Sequence, residues 1–289
     1  MLALIAAVGY GVSDYFGGVA SRRVTALRIV IYSYPLSVLL VVLAMLTMPL
    51  LSLSAGSPDA ASIGWGVAAG LSSGFAVWWF YAALADGPMA VVSPVTAVLV
   101  AGVPVLVGLA IGERPGPLAF AGIAFALVAV LLASRESPDA VTEEIIGGRE
   151  LRFDRRVALL TVGSGVAYGF AFVFLHETSG SAGLWPLLAQ RLAATGVVWF
   201  TAFTQRDFGR LRGEPLRLAV WISVLDVISN AALLYAFHGS LLSLVSVIGS
   251  LYPAATVLLA MVLLGERVGR LQKIGLALAL VAVGLIAVA

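Results

Sequence analysis

Ten apolar stretches, each near the length that crosses a bilayer, constrain this chain more than any other feature. A helix needs about 20 mainly apolar residues to span roughly 30 Å of hydrocarbon. Such stretches run over 2–20, 29–48, 62–84, 89–111, 117–134, 157–176, 184–204, 217–237, 241–264 and 270–289. The expected fold class is therefore all-α, a polytopic membrane protein of ten transmembrane helices. The composition agrees, with 61% hydrophobic residues, 11% charged and a mean hydropathy of +1.05. Soluble domains carry about 25% charged residues. A soluble enzyme, a nucleic-acid binder and a disordered chain are excluded on that ground. The first stretch contains Tyr10 and Asp14 and ends in Ser21-Arg22-Arg23. It reads as a span, not as a removable leader, which would need a basic start and a small-residue cleavage site. There is no cysteine, hence no disulfide framework and no thiolate metal site.

Connections are short, so neighbouring helices are antiparallel. The exception is a hydrophilic linker, 135–156, which separates domains 1–134 and 157–289. These halves repeat one another. Tyr81-Ala82 precedes Gly112-Glu113-Arg114 by 31 residues, and Tyr235-Ala236 precedes Gly265-Glu266-Arg267 by 30. Each Gly-Glu-Arg is followed by a similar last helix, Gly122–Val130 and Gly275–Val283. Tyr10-Gly11 parallels Tyr168-Gly169, and Ala26-Leu27-Arg28 parallels Ala189-Gln190-Arg191. Five spans per half is an odd number, so the second copy is inverted relative to the first. Inverted repeats place a substrate site near the midplane between the copies and support alternating access. Gly66/Gly70/Gly74 and Gly165/Gly169 are rows of small residues suited to close helix packing.

Paired five-helix halves, each closing with Gly-Glu-Arg and a Gly-containing apolar helix, resemble the EamA-type branch of the drug/metabolite transporter superfamily. The resemblance covers nearly the whole chain. It implies a secondary carrier, often an exporter, of amino acids, metabolites or drugs. It also implies that spans three, four, eight and nine line a central cavity. That would place Trp78, Tyr81, Ser93, Tyr235, Ser246 and Tyr252 near a substrate.

Fifteen of the 17 basic residues fall in alternate connections on one side; Arg114 alone is on the other, and Arg191 is inside a span. The positive-inside rule makes the fifteen-charge side cytoplasmic and puts both termini outside. The expected location is the cell membrane.

Ionisable groups inside a span cost at least about 2.5–3.5 kcal/mol, so they should face a cavity or a partner. Asp14, Arg191 and Asp226 are the candidates. Tyr10 shares a helix face with Asp14, which reads as a coupling or substrate-amine carboxylate, or else as an interfacial acid. Arg191 could bind a substrate carboxylate through its planar fork, snorkel toward the interface, or be neutralised by an acid such as Asp226. Asp226 and Asn230, with Ser223 and Ser229, form a polar stripe that either lines a wet cavity or bonds helices together. Glu113 and Glu266 read as N-terminal caps for the last helix of each half. His176 and His238 read as interfacial residues, because two histidines without a third ligand make a poor metal site.

No Walker, nucleophile-elbow or zincin motif is present. The expectation is a carrier, not an enzyme, that needs no cofactor. Its partners are a small-molecule substrate and the lipid bilayer, with protons carried by Asp14 or Asp226 if they couple, and no nucleic acid. A monomer suffices. The competing expectation is an integral-membrane enzyme or lipid-handling protein acting on a lipid-linked substrate.

Overall fold

The computed structural model describes residues 1–21, 23–52, 54–86, 89–133, 154–263 and 269–288, and among them it holds helices and no strand. The first half contributes α1 (Leu2–Ser21), α2 (Ala26–Thr47), α3 (Ala60–Asp86), α4 (Met89–Ala110) and α5 (Pro117–Ala133). The second contributes α6 (Arg155–His176), α7 (Trp185–Gln205), α8 (Glu214–Phe237), α9 (Leu242–Gly249), α10 (Tyr252–Leu263) and α11 (Arg270–Ala287). Each expected span is thus helical to within a few residues, and the ninth is two helices. Pro253 accounts for the break: it has no N–H to donate, and its ring would clash with the Gly249 carbonyl four residues earlier. Accordingly, α9 stops at Gly249 and α10 restarts at Tyr252. Four stretches meet both the length and the hydropathy of a membrane span outright among the described residues: Ala26–Leu51, Ala60–Phe80, Arg155–His176 and Glu214–Phe237. Linker residues 135–153, the second Gly-Glu-Arg at 265–267 and the Gly87-Pro88 turn lie outside the described residues.

The polarity is that of a membrane protein. Large apolar side chains such as Leu106, Phe120, Trp221 and Leu280 face outward, while Thr161, Ser164, Ser223 and Arg191 are buried. Helix contacts tie the halves together. α3 packs on α6 and α7, and α8 packs on α1 and α2. α4 packs on α6, while α9 and α10 pack on α1; α2 meets α7, α4 meets α9, and α5 meets α11. Exchanging the halves maps this set of pairs onto itself, as a two-repeat architecture requires. The glycine rows make the close contacts expected of them. A Cβ on Gly66, Gly70 or Gly74 would lie 2.4, 2.3 or 2.7 Å from Pro186, Gln190 or Val197 of α7. Gly165 and Gly169 admit Leu99 and Val103 of α4 in the same way.

The α1–α2 loop meets the α7–α8 loop at one end of the bundle through charge. Arg23 pairs with Glu214, Arg28 pairs with Asp207, and Thr25 Oγ1 donates to Asp207 Oδ2 at 2.7 Å. At the other end the α2–α3 loop meets the α6–α7 loop through neutral backbone. Ser57 N donates to Ser181 O at 3.0 Å, and Leu184 N donates to Ala55 O at 3.1 Å. There Gly183, at φ +54°, comes so close that a Cβ would sit 2.2 Å from the Ala55 carbonyl oxygen.

Burial acts to raise the Asp207 carboxyl, but the hydrogen bonds from Thr25 and Arg28 outweigh it and hold the group below its ordinary 3.8. A carboxylate lowered in the folded state contributes its full stabilisation above the ordinary value and loses it as the pH falls through the folded value. Asp207→Asn is therefore expected to lower stability at neutral pH by about 1 kcal/mol, less in high salt. Thermal melts at pH 7 and pH 3, in low and high salt, check this; a deficit that does not shrink between pH 7 and pH 3 would contradict it.

Candidate functional site

Two of the three ionisable groups expected inside the spans, Arg191 and Asp226, meet within the bundle. Arg191 stands six residues into α7, about 9 Å along its axis. It is 4% exposed, and its Nη1 lies 2.6 Å from Asp226 Oδ2. The acid expected to be able to neutralise Arg191 is thus in place beside it. Asp226 sits midway along α8. Its Oδ1 accepts from Asn230 Nδ2 at 3.0 Å, and its Oδ2 accepts from Ser37 Oγ at 3.4 Å. The Tyr34 ring lies under the guanidinium, 5.8 Å from Cζ to the ring centroid, a cation–π distance. Both faces of the ion pair are therefore held, one by polar groups and one by an aromatic ring. Arg191 Nε remains buried without a hydrogen-bond partner, as does the neighbouring Gln190 Oε1.

Pro35 shapes α2 at this level. It lies inside the helix and cannot bond the Ile31 carbonyl one turn back. Trp199 Nε1 of α7 donates to that freed oxygen at 3.3 Å. The bond ties α2 to α7 next to Tyr34 and compensates the missing helix bond.

α1 comes close through its glycines. A Cβ on Gly9 would lie 2.2 Å from Ser229 Oγ of α8, and one on Gly11 would lie 2.7 Å from the Tyr252 carbonyl oxygen of α10. Thr256 Oγ1 donates to Gly11 O at 3.1 Å. This approach sets Tyr10 edge-on to Tyr252, with ring centroids 6.5 Å apart. It also brings Asp14 within electrostatic reach of Asp226 and Tyr252.

Asp14 is exposed although it lies on the inward stripe of α1. Ala3 and Ala7 on that stripe are buried, and Tyr10 is half-buried. Ile5, nine residues away and so half a turn out of phase, is on the outward face with 46% exposure. Asp14 thus shares a stripe with buried residues while its own carboxylate stays exposed. No cation or hydrogen-bond donor among the described residues pairs with Asp14.

The other expected residues are dispersed. Trp78 lies against Phe75, at 6.2 Å between ring centroids on its own helix. Tyr235 packs on His238 at the far end of α8, where Thr178 Oγ1 is 3.0 Å from His238 Nε2. Both histidines do fall at helix ends; burial, with His176 nearby, holds the His238 imidazole below its ordinary value. Ser246 is fully buried in α9, its hydroxyl without a partner. Tyr81 and Ser93 are helical in backbone, but their side chains lie outside the described residues. Glu113 caps a helix, though not the one expected: α5 begins at Pro117, and the Glu113 carboxylate instead accepts from Leu242 N and from Ser243 N, the latter at 3.0 Å. It closes the start of α9 in the opposite half, because its loop folds back across the bundle end.

Tyr34 and Ser37 were not among the expected residues. The signal for them was present in a proline inside span two flanked by Tyr34, Ser33 and Ser37. The repeat register pairs Asp226 with Ser72, whose Oγ donates to Ala167 O at 2.7 Å. The equivalent place in the first half is thus neutral inter-helix bonding, and the charge is concentrated on one side of the pseudo-symmetry.

A family model described as the EamA-like transporter family matches residues 1–135 and 155–288. No curated protein matches the sequence. Among solved structures, the crystal structure of a protein 15% identical to this chain superposes with a TM-score of 0.73, covering 99% of this chain and 95% of that one. At that identity the likeness is one of fold.

Proposed function

The chain belongs to the EamA-like transporter family, and from that premise we propose that it is a secondary carrier that moves a small organic solute outward by alternating access around the Arg191–Asp226 cluster. The observation that carries the proposal is the cluster's composition. Tyr34 and Ser37 come from the first half and Arg191, Asp226 and Asn230 from the second, and they meet at mid-helix level in a multi-pass membrane protein. An ion pair at this depth costs free energy to insert, and a site that must bind and release is one reason to keep it. The start of α2 lies beside the end of α7, and the end of α2 lies beside the start of α7. Equivalent helices of the two halves that run in opposite directions support the inverted repeat. The two end contacts, one ionic and one neutral, fall where opposite gates of a rocking mechanism would lie. The ionic end, rich in arginine, is the cytoplasmic one, with both termini outside and a single copy sufficient.

The test is flux of a solute panel in proteoliposomes under an imposed pH gradient. Transport above empty liposomes supports the carrier, and transport that follows the imposed pH gradient in wild type but loses that dependence in Asp226→Asn or Asp14→Asn supports its use of protons. Unchanged flux in both variants removes the proton role. A panel of amino acids, nucleosides, amines and carboxylates with no flux at all rejects the carrier.

A further inference from the structure

We infer that the solute is an organic cation, an amine or ammonium carrying an apolar group, and that Asp14 is its counter-ion. The inference rests on the carrier reading of the same site and narrows its substrate class.

Arg191 is the obvious place for a substrate anion, but it is already engaged. Asp226 neutralises it at 2.6 Å, the Tyr34 ring covers one face, and only 4% of the residue is exposed. An incoming carboxylate would have to displace a half-buried partner that Asn230 and Ser37 also hold. Asp14 is the reverse case. It is exposed on the inward stripe of α1, and no cation or donor among the described residues pairs with it.

With Arg191 and Asp226 cancelling, the ionised cluster carries one net negative charge, and that charge sits on the open residue. A second carboxylate within electrostatic reach strengthens the demand for a cation there. Tyr10 and Tyr252 are half-buried beside it and meet edge to face. Aromatic faces attract ammonium groups and accept apolar bodies. The exposed carboxylate and the tyrosine pair beside it are therefore anionic at one point and aromatic next to it, which matches an amphipathic cation and repels an anion.

Gly17 gives access to the local field without disturbing the cluster. It is one turn beyond Asp14, and nothing lies within 4 Å of a Cβ built there. The chain has no cysteine, so Gly17→Cys gives it a sole thiol. Two thiol reagents are compared, 2-(trimethylammonium)ethyl and 2-sulfonatoethyl methanethiosulfonate. The cationic reagent is expected to react about tenfold faster or more, since a charged cleft concentrates counter-ions on that scale. Adding Asp14→Asn should collapse the ratio, and Asp14→Glu should restore it. Equal rates, or a faster anionic reagent, overturn the inference.

Binding is read by thermal shift with phenethyltrimethylammonium, 3-phenylpropanoate and 2-phenylethanol. Only the ammonium should stabilise wild type, with affinity falling about tenfold or more in Asp14→Asn. Stabilisation by 3-phenylpropanoate in preference to the ammonium overturns the cation assignment. Flux separates the two readings. Transport of 3-phenylpropanoate or the alcohol in place of the ammonium leaves the carrier standing and removes the cation. Binding of the ammonium with no flux of any solute leaves the cation site standing and removes the carrier.

Discussion

Replacing Arg191 by Met should destabilise the protein by about 3 kcal/mol or more, and Arg191→Met combined with Asp226→Leu should recover most of that loss. The single change strands the Asp226 carboxylate between Asn230 and Ser37 with its counter-charge gone. The double change removes both charges and leaves an apolar pair of similar volume in helices that already face lipid. The two losses are therefore strongly non-additive, because the residues are in direct contact. Thermal melts in detergent for wild type, both single variants and the double variant close the cycle. A double variant as unstable as the sum of the singles would mean that the pair is not a coupled unit. The recovered double variant should still fail to transport, which separates what the pair does for folding from what it does for function.

Gly70→Ala is the second large effect. The added Cβ would lie 2.3 Å from the Gln190 carbonyl oxygen and 2.7 Å from the Ala193 Cβ, a separation real side chains do not adopt. The obstacle is backbone, so α3 and α7 must move apart. Overpacking of this kind costs about 1–3 kcal/mol, and Gln190 precedes Arg191, so the displacement reaches the ion pair. Gly64→Ala on the same helix is the control, because nothing lies within 4 Å of its Cβ. It should be neutral or stabilising by up to about 1 kcal/mol, the helix-propensity gain of Ala over Gly. Folded yield and melting temperature of the two variants decide the matter; equal behaviour would show that the glycine row does not set the spacing.

Composition and hydropathy fixed the class and the boundaries of the helices, because in a bilayer every backbone polar group must be bonded within its own segment. The local pattern of apolar residues therefore suffices to place a span, and α6, for example, departs from its expected start by only two residues, where Asp154 caps it. The repeat was legible for the same reason: paired motifs such as Tyr81-Ala82 and Tyr235-Ala236 are one-dimensional.

Contacts between distant segments were a different matter. The sequence offered Asp14, Arg191 and Asp226 as separate costly residues, and it left Arg191 equally suited to a ligand or to a neighbour. Tertiary packing brought it the neighbour Asp226, in a bundle whose glycines let α3 approach α7 and α1 approach α8. It added Tyr34 and Ser37, which are unremarkable in sequence until Pro35 and Trp199 bring α2 against α7. It assigned Glu113 to the start of α9 instead of α5, and it left Asp14 as the open carboxylate. The physical reason is that insertion energies depend on each segment alone, whereas which buried charge finds a partner depends on how the segments are arranged around it.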